Sequence, residues 1–423
     1  MGKESLISNI FNLLLLQGIN YIMPLVTFPY LVKVLGVEQY GILAFSLAVT
    51  SYFVLITDYG FNLSATRQVS IYRYDQQKIN EIFGSVLIIK LLLMIACFCL
   101  MICLIFSIEK FNDIQNLLFL SFGMVFGQIL FPIWLFQGME KMKYITYLSV
   151  VAKLIFTVGI FLFVKGENDI WLVPLLNSSG LILVGVFSLV LVIRQFDIKF
   201  YIPDRHSLYF YFKDGWNLFT SNLAILGYKN NSMLILAFYL DSTNLGFYSI
   251  GKKIFEAING LNVVMSQAFF PSVSKSQAIS GLAISDRLKS LFSISIMLST
   301  CIFLGTFFFA DIISLLISGK EEAVVIEILQ LLAIALFIIG VNVPAVQYLI
   351  STGNSKKFSL IVWIGVIVDL LLLLQLVPKL DYKGALYATL ISETLITLSL
   401  YYTSYLIFKT NRNVSRNIVK VPK

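Results

Sequence analysis

The sequence predicts an all-α polytopic membrane protein with 12 transmembrane helices in two six-helix bundles. Three observations lead to this fold class: long apolar runs, few charges, and a similarity between the two halves. Of the 423 residues, 58% are hydrophobic and 13% are charged, and the mean hydropathy is +0.86. A soluble domain cannot bury so much apolar surface, so the apolar runs are interpreted as membrane helices.

Twelve apolar segments reach the ~20 residues that cross a bilayer as a helix. The first two, residues 8–32 and 37–59, form a predicted hairpin around a short polar break. Asn12 in the first span has a counterpart in Asn217 in the seventh span. The same spacing relates the first hairpin to a similar hairpin at the start of the second half, which indicates two similar halves. The other predicted segments are 80–107, 112–137, 141–165, 169–194, 212–239, 243–271, 286–310, 323–352, 357–378 and 384–408.

The predicted domains follow from the position of a polar linker in mid-chain. Residues 1–194 form the N-terminal six-helix bundle, 195–211 a cytoplasmic linker, 212–408 the C-terminal bundle and 409–423 a basic tail. Most of the 31 Lys and Arg residues fall in the tail and in loops that share its side of the membrane. This asymmetry places both termini in the cytoplasm and explains the net charge of +8 without nucleic acid.

Two features of the predicted cytoplasmic loops are informative. Residues 60–80 alternate apolar and basic side chains and predict a short amphipathic helix, either a simple membrane anchor or a phosphate-gathering entrance. Gly138 and Gly353 each end a predicted span just before a pair of lysines, which indicates helix-ending glycines ahead of cationic turns.

Five lysines lie within the predicted spans, where a charge costs roughly 2.5–3.5 kcal/mol at a helix centre. Lys90, Lys153 and Lys229 fall near mid-membrane, and Lys252 and Lys253 are shallower. They outnumber the acids in the same region, so an anionic passenger would balance them. The alternative is that they pair with carboxylates across helices or reach interfacial water.

Three acids within the spans are candidates for proton or ion coupling: Glu256, Asp369 and Glu393. A carboxyl group at such depth can change its protonation state during a transport cycle. Lys252 and Glu256 have the i,i+4 spacing of a helical ion pair. A purely structural pairing of these acids is the alternative reading.

Polar faces and prolines complete the candidate transport path. Asn12 and Asn20 lie on a polar face of the first span, and Asn217 on one of the seventh. Such faces predict either a wet cavity between the halves or interhelical hydrogen bonds. Pro24 and Pro29 are five residues apart in the first helix and are candidates for gating, with static shaping of the bundle as the alternative.

Several classes of function are excluded by what the sequence lacks. Its four cysteines lie inside apolar runs and its one histidine lies in the linker, so we expect no metal site. No ATP-binding P-loop motif is present, and no long external loop could hold a catalytic site. We therefore expect a protein that is not an enzyme and needs no cofactor. No secretory signal precedes the first span, which we expect to be retained.

The first 70 residues resemble the opening of bacterial O-antigen and repeat-unit flippases, in the polysaccharide-exporter branch of the multidrug/oligosaccharidyl-lipid/polysaccharide (MOP) superfamily. The matching positions include Asn12, Gln17, Asn20-Tyr21, Pro24-Leu25, Pro29-Tyr30-Leu31, Leu35-Gly36, Tyr40-Gly41, Asp58-Tyr59-Gly60-Phe61 and Thr66-Arg67. The resemblance implies a MATE-like fold and places Asp58 and Arg67 at the cytoplasmic mouth.

The resemblance also implies a function. It is the transfer of an undecaprenyl-diphosphate-linked oligosaccharide from the cytoplasmic to the periplasmic leaflet of the bacterial inner membrane by alternating access. Lipid-linked oligosaccharide and membrane lipid are the implied partners, with a polysaccharide polymerase and a chain-length regulator as further candidates. Peptidoglycan-precursor flippases have charged residues in the first span and two extra helices that form a lipid groove, and both features are absent from this sequence. A drug/cation antiporter of the same superfamily and a membrane-embedded polysaccharide polymerase are the rival functions.

Overall fold

The structure, a computed structural model, describes the backbone of residues 3–199, 201–277 and 281–418. Side chains are described within 23–199, 201–267, 269 and 290–409. Over these residues the chain is helical apart from short loops and turns, and no strand is formed. The chain divides into two compact units, Met1–Phe238 (unit 1) and Tyr239–Lys423 (unit 2). The all-α fold class predicted from composition is confirmed.

Unit 1 is built from long apolar helices joined by short turns, because a bilayer requires every backbone polar group to be satisfied internally. A 3-10 helix, Glu167–Trp171, precedes the eighth α-helix. The α-helices are α1 (Lys3–Asp58), α2 (Phe61–Ile71), α3 (Gln76–Ser107), α4 (Glu109–Asp113), α5 (Gln115–Leu130), α6 (Ile133–Gly138), α7 (Met142–Phe163), α8 (Leu172–Gln195) and α9 (Arg205–Tyr239), whose last residue begins unit 2.

Unit 2 is organised around one helix that is buried along most of its length. Its α-helices are α10 (Ser242–Gln277), α11 (Gly281–Phe308), α12 (Ala310–Ser318), α13 (Ala323–Ser351) and α14 (Ser355–Ile418). In α13, Ile328, Leu329 and Leu336 are fully buried. Pro344 interrupts the backbone bonding of α13, and the hydroxyl of Tyr401 on α14 donates a hydrogen bond to the nearby carbonyl of Val341 at 2.6 Å.

Two of the predicted breaks between spans are kinks inside continuous helices. In α1 the non-helical residue is Gly36, with φ 75° and ψ 166°. In α14 it is Asp381, with φ 52° and ψ −137°. Pro24 and Pro29 keep helical backbone angles, so the sharp bend of α1 lies at Gly36 and not at the proline pair that we proposed for gating.

Eight helical stretches of the described residues are long and apolar enough to cross a membrane. Residues Met23–Ile71 and Ser355–Lys409 are each counted as one stretch, although each contains a kink and parts of two predicted spans. The helices α9 and α10 have spanning length but are not among the eight. The protein is therefore a multi-pass membrane protein, and the number of 12 helices stays a prediction.

The predicted linker 195–211 is packed against the start of α3. The Gln76 side-chain amide donates to the carbonyls of Phe196 and Asp197 at 2.9 and 3.0 Å. The Lys199 backbone N–H donates to the Asn80 side chain at 3.0 Å. The last part of the linker is already helical, since α9 begins at Arg205, and the compact units divide later, after Phe238. The predicted domain boundaries stay predictions.

The two helix-ending glycines behave differently. Gly353 has φ 73°, and the backbone bonds from Gly353 to Ile350 and from Asn354 to Leu349 form a Schellman cap after α13. After α6 the left-handed residue is Glu140, with φ 57°, and not Gly138. Gly138 instead permits close packing, because an added Cβ would lie 2.5 Å from the Val69 side chain of α2.

A close contact between α3 and the linker yields a first prediction. A Cβ added at Gly84 would lie 2.1 Å from the Tyr201 carbonyl oxygen, so Gly84→Ala must displace the linker. We expect it to lower the free energy of unfolding by about 1–3 kcal/mol. Gly305→Ala is the matched control, because no atom lies within 4 Å of an added Cβ in α11. Thermal unfolding of the purified proteins in micelles measures the difference. Equal stability of the two variants would contradict the contact.

An ion pair outside the spans yields a pH-dependent prediction. The Arg73 guanidinium lies 2.7 Å from the Glu140 carboxylate and also donates to the Gly138 carbonyl. The hydrogen bond from Arg73 lowers the pKa of Glu140, and the same bond raises the pKa of Arg73. A lowered carboxyl pKa stabilises the fold above the ordinary carboxyl pKa, and this stabilisation is lost as the pH falls through the lowered value.

We therefore expect Glu140→Gln to reduce the free energy of unfolding by about 0.5–1 kcal/mol at neutral pH. The difference from the parent protein should vanish once the pH falls below the lowered pKa of Glu140, where the carboxyl group is protonated in both the folded and the unfolded state. Glu109→Gln, at an exposed position, is the control. A difference that persists unchanged at low pH would show that the ion pair is not its source.

Candidate functional site

The turn between α1 and α2 brings α9 against the rest of unit 1. Tyr59 and Gly60 both have left-handed backbone angles, with φ 49° and 78°. A Cβ added at Gly60 would lie 2.7 Å from the Leu218 Cβ, and one added at Gly215 would lie 2.9 Å from the Tyr59 carbonyl oxygen. Glycine is therefore needed on both sides of this contact, and at Gly60 it also provides the left-handed turn.

Asp58 and Lys90 form a buried ion pair directly beside this turn. The Lys90 Nζ lies 2.9 Å from Asp58 Oδ1, and the lysine side chain is 3% exposed. The Asn62 side-chain amide donates to the other carboxylate oxygen at 2.9 Å. Both carboxylate oxygens therefore have donors, as a buried charge requires. The pair ties the end of α1 to α3 and to the first turn of α2.

Tyr59 is held by aromatic rings of α9. Its ring stacks on Phe212 at 4.4 Å and on Phe219 at 4.8 Å between centroids, with interplanar angles of 20° and 15°. Its hydroxyl is buried and has no hydrogen-bond partner within the described part of the chain. The contact is thus held by the faces of the rings.

The amphipathic helix α2 is joined to α9 by a second ion pair. Arg67 Nη2 lies 2.5 Å from Asp214 Oδ1, and the Gln68 amide donates to Asp214 Oδ2 at 3.2 Å. Arg67 is 59% exposed and Asp214 18%. The predicted helix in residues 60–80 is confirmed as α2, and its basic residue Arg67 contacts a protein carboxylate.

Further contacts continue along α9. In its middle, Asn230 donates to the Ser51 hydroxyl at 2.8 Å, and the Tyr52 hydroxyl donates to Asn231 at 2.9 Å. Near its far end, Phe238 lies with Phe45 and Phe111 in a cluster whose ring centroids are 5.7–6.4 Å apart. Helix α9 therefore runs antiparallel to the second half of α1 and contacts the rest of unit 1 at three levels.

The other predicted path residues of unit 1 do not join this cluster. Lys153 on α7 is half-buried and interacts with its surroundings. Lys229 on α9 is exposed and makes no ion pair with a described residue. Asn217 is exposed, and its carbonyl accepts bonds from Thr220 and Ser221. The side chains of Asn12 and Asn20 lie outside the described residues.

In unit 2 the predicted coupling acids lie near a lysine. Asp369 is 4% exposed and accepts a hydrogen bond from Ser392 at 3.2 Å, next to Glu393, which is 5% exposed. Lys252 is within electrostatic range of Asp369 and of Glu256. Glu256 also makes a salt bridge with Lys253 at 3.7 Å, at i,i+3 spacing, and the expected i,i+4 pair of Lys252 and Glu256 stays a prediction.

Lys90 has a carboxylate partner on another helix. The sequence placed it near mid-membrane, either on a path for an anion or paired with a carboxylate across helices. The structure pairs it with Asp58 at the end of α1, a residue that the resemblance placed at the cytoplasmic mouth. The pairing alternative therefore holds for Lys90, and its depth in the membrane stays a prediction.

Sequence reasoning missed several partners in these clusters. Asn62 could have been found from its i,i+4 spacing to Asp58. Asp214 lies 147 residues from Arg67, and Ser392 lies 23 from Asp369, so no local pattern connects them. Within the described ranges, no group of three His, Cys, Asp or Glu residues could hold a metal ion.

The fold is similar to the folds of solved membrane transporters. The structure of lipid II flippase MurJ in an inward closed conformation covers 98% of this chain and 94% of its own, with a TM-score of 0.72 and 17% identity. An inward-facing MATE multidrug transporter of the MOP superfamily covers 93% and 99%, with a TM-score of 0.67 and 13% identity. At these identities the likeness concerns the fold alone.

Comparison of the sequence with known proteins identifies the family. The profile of the polysaccharide biosynthesis protein family matches residues 6–277, and the chain belongs to this family. A relative from Escherichia coli (strain K12), named "Putative O-antigen transporter", is 29% identical over 94% of this chain and 96% of its own. A relative of the same name from Shigella dysenteriae is 30% identical over 92% and 98%. The resemblance found in the first 70 residues is thereby confirmed.

The buried pair yields a prediction that separates structure from transport. Asp58→Asn or Lys90→Met alone leaves one buried charge without its partner, and each should cost about 3–5 kcal/mol of unfolding free energy. The double variant removes both charges and should recover most of this loss. Thermal unfolding and the amount of folded protein in membranes measure the effect. Additive losses in the double variant would contradict the pairing.

Proposed function

We propose that this protein is a flippase. It moves an undecaprenyl-diphosphate-linked oligosaccharide, an O-antigen or similar repeat unit, from the cytoplasmic to the periplasmic leaflet of the bacterial inner membrane by alternating access. Family membership supports this proposal most directly, because relatives named as O-antigen transporters align along nearly the whole chain. Both termini are cytoplasmic in this proposal, so the Asp58 end of unit 1 faces the cytoplasm.

The physical task fits a polytopic bundle. A sugar headgroup with a diphosphate cannot enter hydrocarbon unaided, because each polar group loses its hydrogen bonds with water. Lys153 and Lys229 are proposed to attract the diphosphate or acidic sugars, with Asn12, Asn20 and Asn217 as hydrogen-bonding groups. Lys90 is left out of this set, because Asp58 already compensates its charge.

The acids of unit 2 are proposed as coupling groups. Asp369 and Glu393 are buried, while Glu256 is more exposed and paired with Lys253. Lys252 lies near two of these acids, so a change of protonation in a carboxyl group would alter the charge of the cluster. A polysaccharide polymerase and a chain-length regulator are proposed as protein partners, since they would use the exported repeat units.

Deleting the gene tests the function. We expect repeat units linked to undecaprenyl diphosphate to accumulate, accessible only from the cytoplasmic leaflet of the inner membrane, and surface polysaccharide to be lost. Leaflet-specific labelling of the lipid-linked sugar in spheroplasts measures this. Exported single units that are never polymerised would point to a polymerase. Normal surface polysaccharide with increased drug sensitivity would point to an antiporter.

Lysine variants test the cationic path. In the complemented deletion strain, Lys153→Ala and Lys229→Ala should each reduce surface polysaccharide several-fold, because a lysine near the path contributes about 1 kcal/mol to anion attraction. Lys379→Ala, at an exposed position in the predicted external loop, is the control. Full activity of both path variants at matched expression would refute the assignment.

A further inference from the structure

An apolar groove of about 310 Å³ lies on unit 1 between α3 and α9. It is lined by Ile89, Leu92 and Leu93 on α3 and by Leu208, Tyr209 and Phe212 on α9. The groove is open along its side, and Leu92 and Tyr209 are 58% and 64% exposed. None of these side chains takes part in the ion pairs described above, so the groove is a separate feature.

The walls of the groove are fixed by polar contacts below it. Glu81 on α3 accepts hydrogen bonds from Ser207 and Tyr211 of α9 at 3.1 and 3.4 Å, and its other oxygen is paired with Lys78 at 2.8 Å. Phe212, the residue after Tyr211, also stacks against Tyr59. Glu81 therefore fixes the start of α9 against α3 next to the groove.

Cations flank the groove on the α9 side. Arg205, Tyr209 and Lys213 follow one another at i,i+4 spacing, so they lie on one face of the helix. Lys213 Nζ lies 5.9 Å from the centre of the Tyr209 ring, and Arg205 and Lys213 are both exposed. An apolar slot with positive charge about one turn away on either side of Tyr209 matches an amphiphile with an apolar chain and an anionic head.

We propose that this groove binds the first part of the isoprenoid tail of a polyprenyl diphosphate, while Arg205 and Lys213 contact the diphosphate. The inference rests on the proposed function and assigns the tail a place on unit 1 at the cytoplasmic side. A groove of this volume takes a short stretch of the chain, and the remainder lies in lipid. A methyl-branched chain fits against Leu92, Leu93, Tyr209 and Phe212 through apolar burial.

Binding of tritiated undecaprenyl diphosphate to the purified full-length protein in nanodiscs tests the proposal. Leu92→Trp fills the groove and should raise the dissociation constant about tenfold or more. Leu100→Trp is the matched control on the same helix, two turns further along, where the leucine is 46% exposed and lines no part of the groove. It should leave the dissociation constant unchanged. Inorganic diphosphate, which has no tail, should bind equally to both variants.

A charge variant tests the headgroup contact. Lys213→Gln should raise the dissociation constant for undecaprenyl diphosphate about fivefold and leave that for undecaprenol unchanged. Lys143→Gln is the control, because Lys143 lies at a similar distance, 5.2 Å, from the ring of Tyr144 but away from the groove. A loss of affinity for the alcohol as well would indicate a structural effect of Lys213 and would overturn its contact with the diphosphate.

The outcomes separate the groove from the function. If the parent protein does not bind undecaprenyl diphosphate at all, the proposed function fails. If the parent protein and Leu92→Trp bind it equally, the function stands and the groove assignment fails. If phosphatidylglycerol displaces the ligand from the parent protein at equal concentration, the groove is a general lipid site and the proposal is overturned.

Discussion

The buried pair of Asp58 and Lys90 is the interaction on which the geometry of unit 1 depends. The Lys90 side chain is only 3% exposed and is paired with the Asp58 carboxylate, whose second oxygen accepts a hydrogen bond from Asn62. Breaking such a buried pair is strongly destabilising, because it leaves one charge without its partner. Asp58 is the last residue of α1, so the pair fixes the point at which that helix ends. The left-handed residues Tyr59 and Gly60 follow directly and turn the chain into α2.

This turn determines where α9 can pack. Because Gly60 and Gly215 lack side chains, the backbones of the turn and of α9 approach closely, and Tyr59 enters between two rings of α9. The contact of Arg67 with Asp214 joins the next helix, α2, to the same part of α9. These contacts are continuous with one another: the ion pair of Asp58 and Lys90, the glycine contact and the stacked rings. Loss of the ion pair should therefore disturb the packing of α9.

The sequence predicts the fold class well because hydrophobicity and span length are local properties. It also predicts the α2 helix and the cap at Gly353 from patterns of a few residues. It does not identify Asp58 as the partner of Lys90, because the two residues lie on different helices, 32 residues apart. It fails for Arg67 because its partner Asp214 is distant in sequence and lies at the start of another helix. Pairings across helices depend on packing, and packing has no signature in a single sequence.

The linker after α8 is fixed to α3. Phe196, Asp197 and the Lys199 backbone N–H share hydrogen bonds with the first turns of α3, and Glu81 holds the start of α9. Because both ends of the polar stretch are bonded to α3, a change that separates α3 from the linker should also release the start of α9. Polar composition alone marks this stretch as a connection between helices. Its packing depends on partners that lie 119–126 residues earlier in the chain, which is why the sequence predicts the linker but not its contacts.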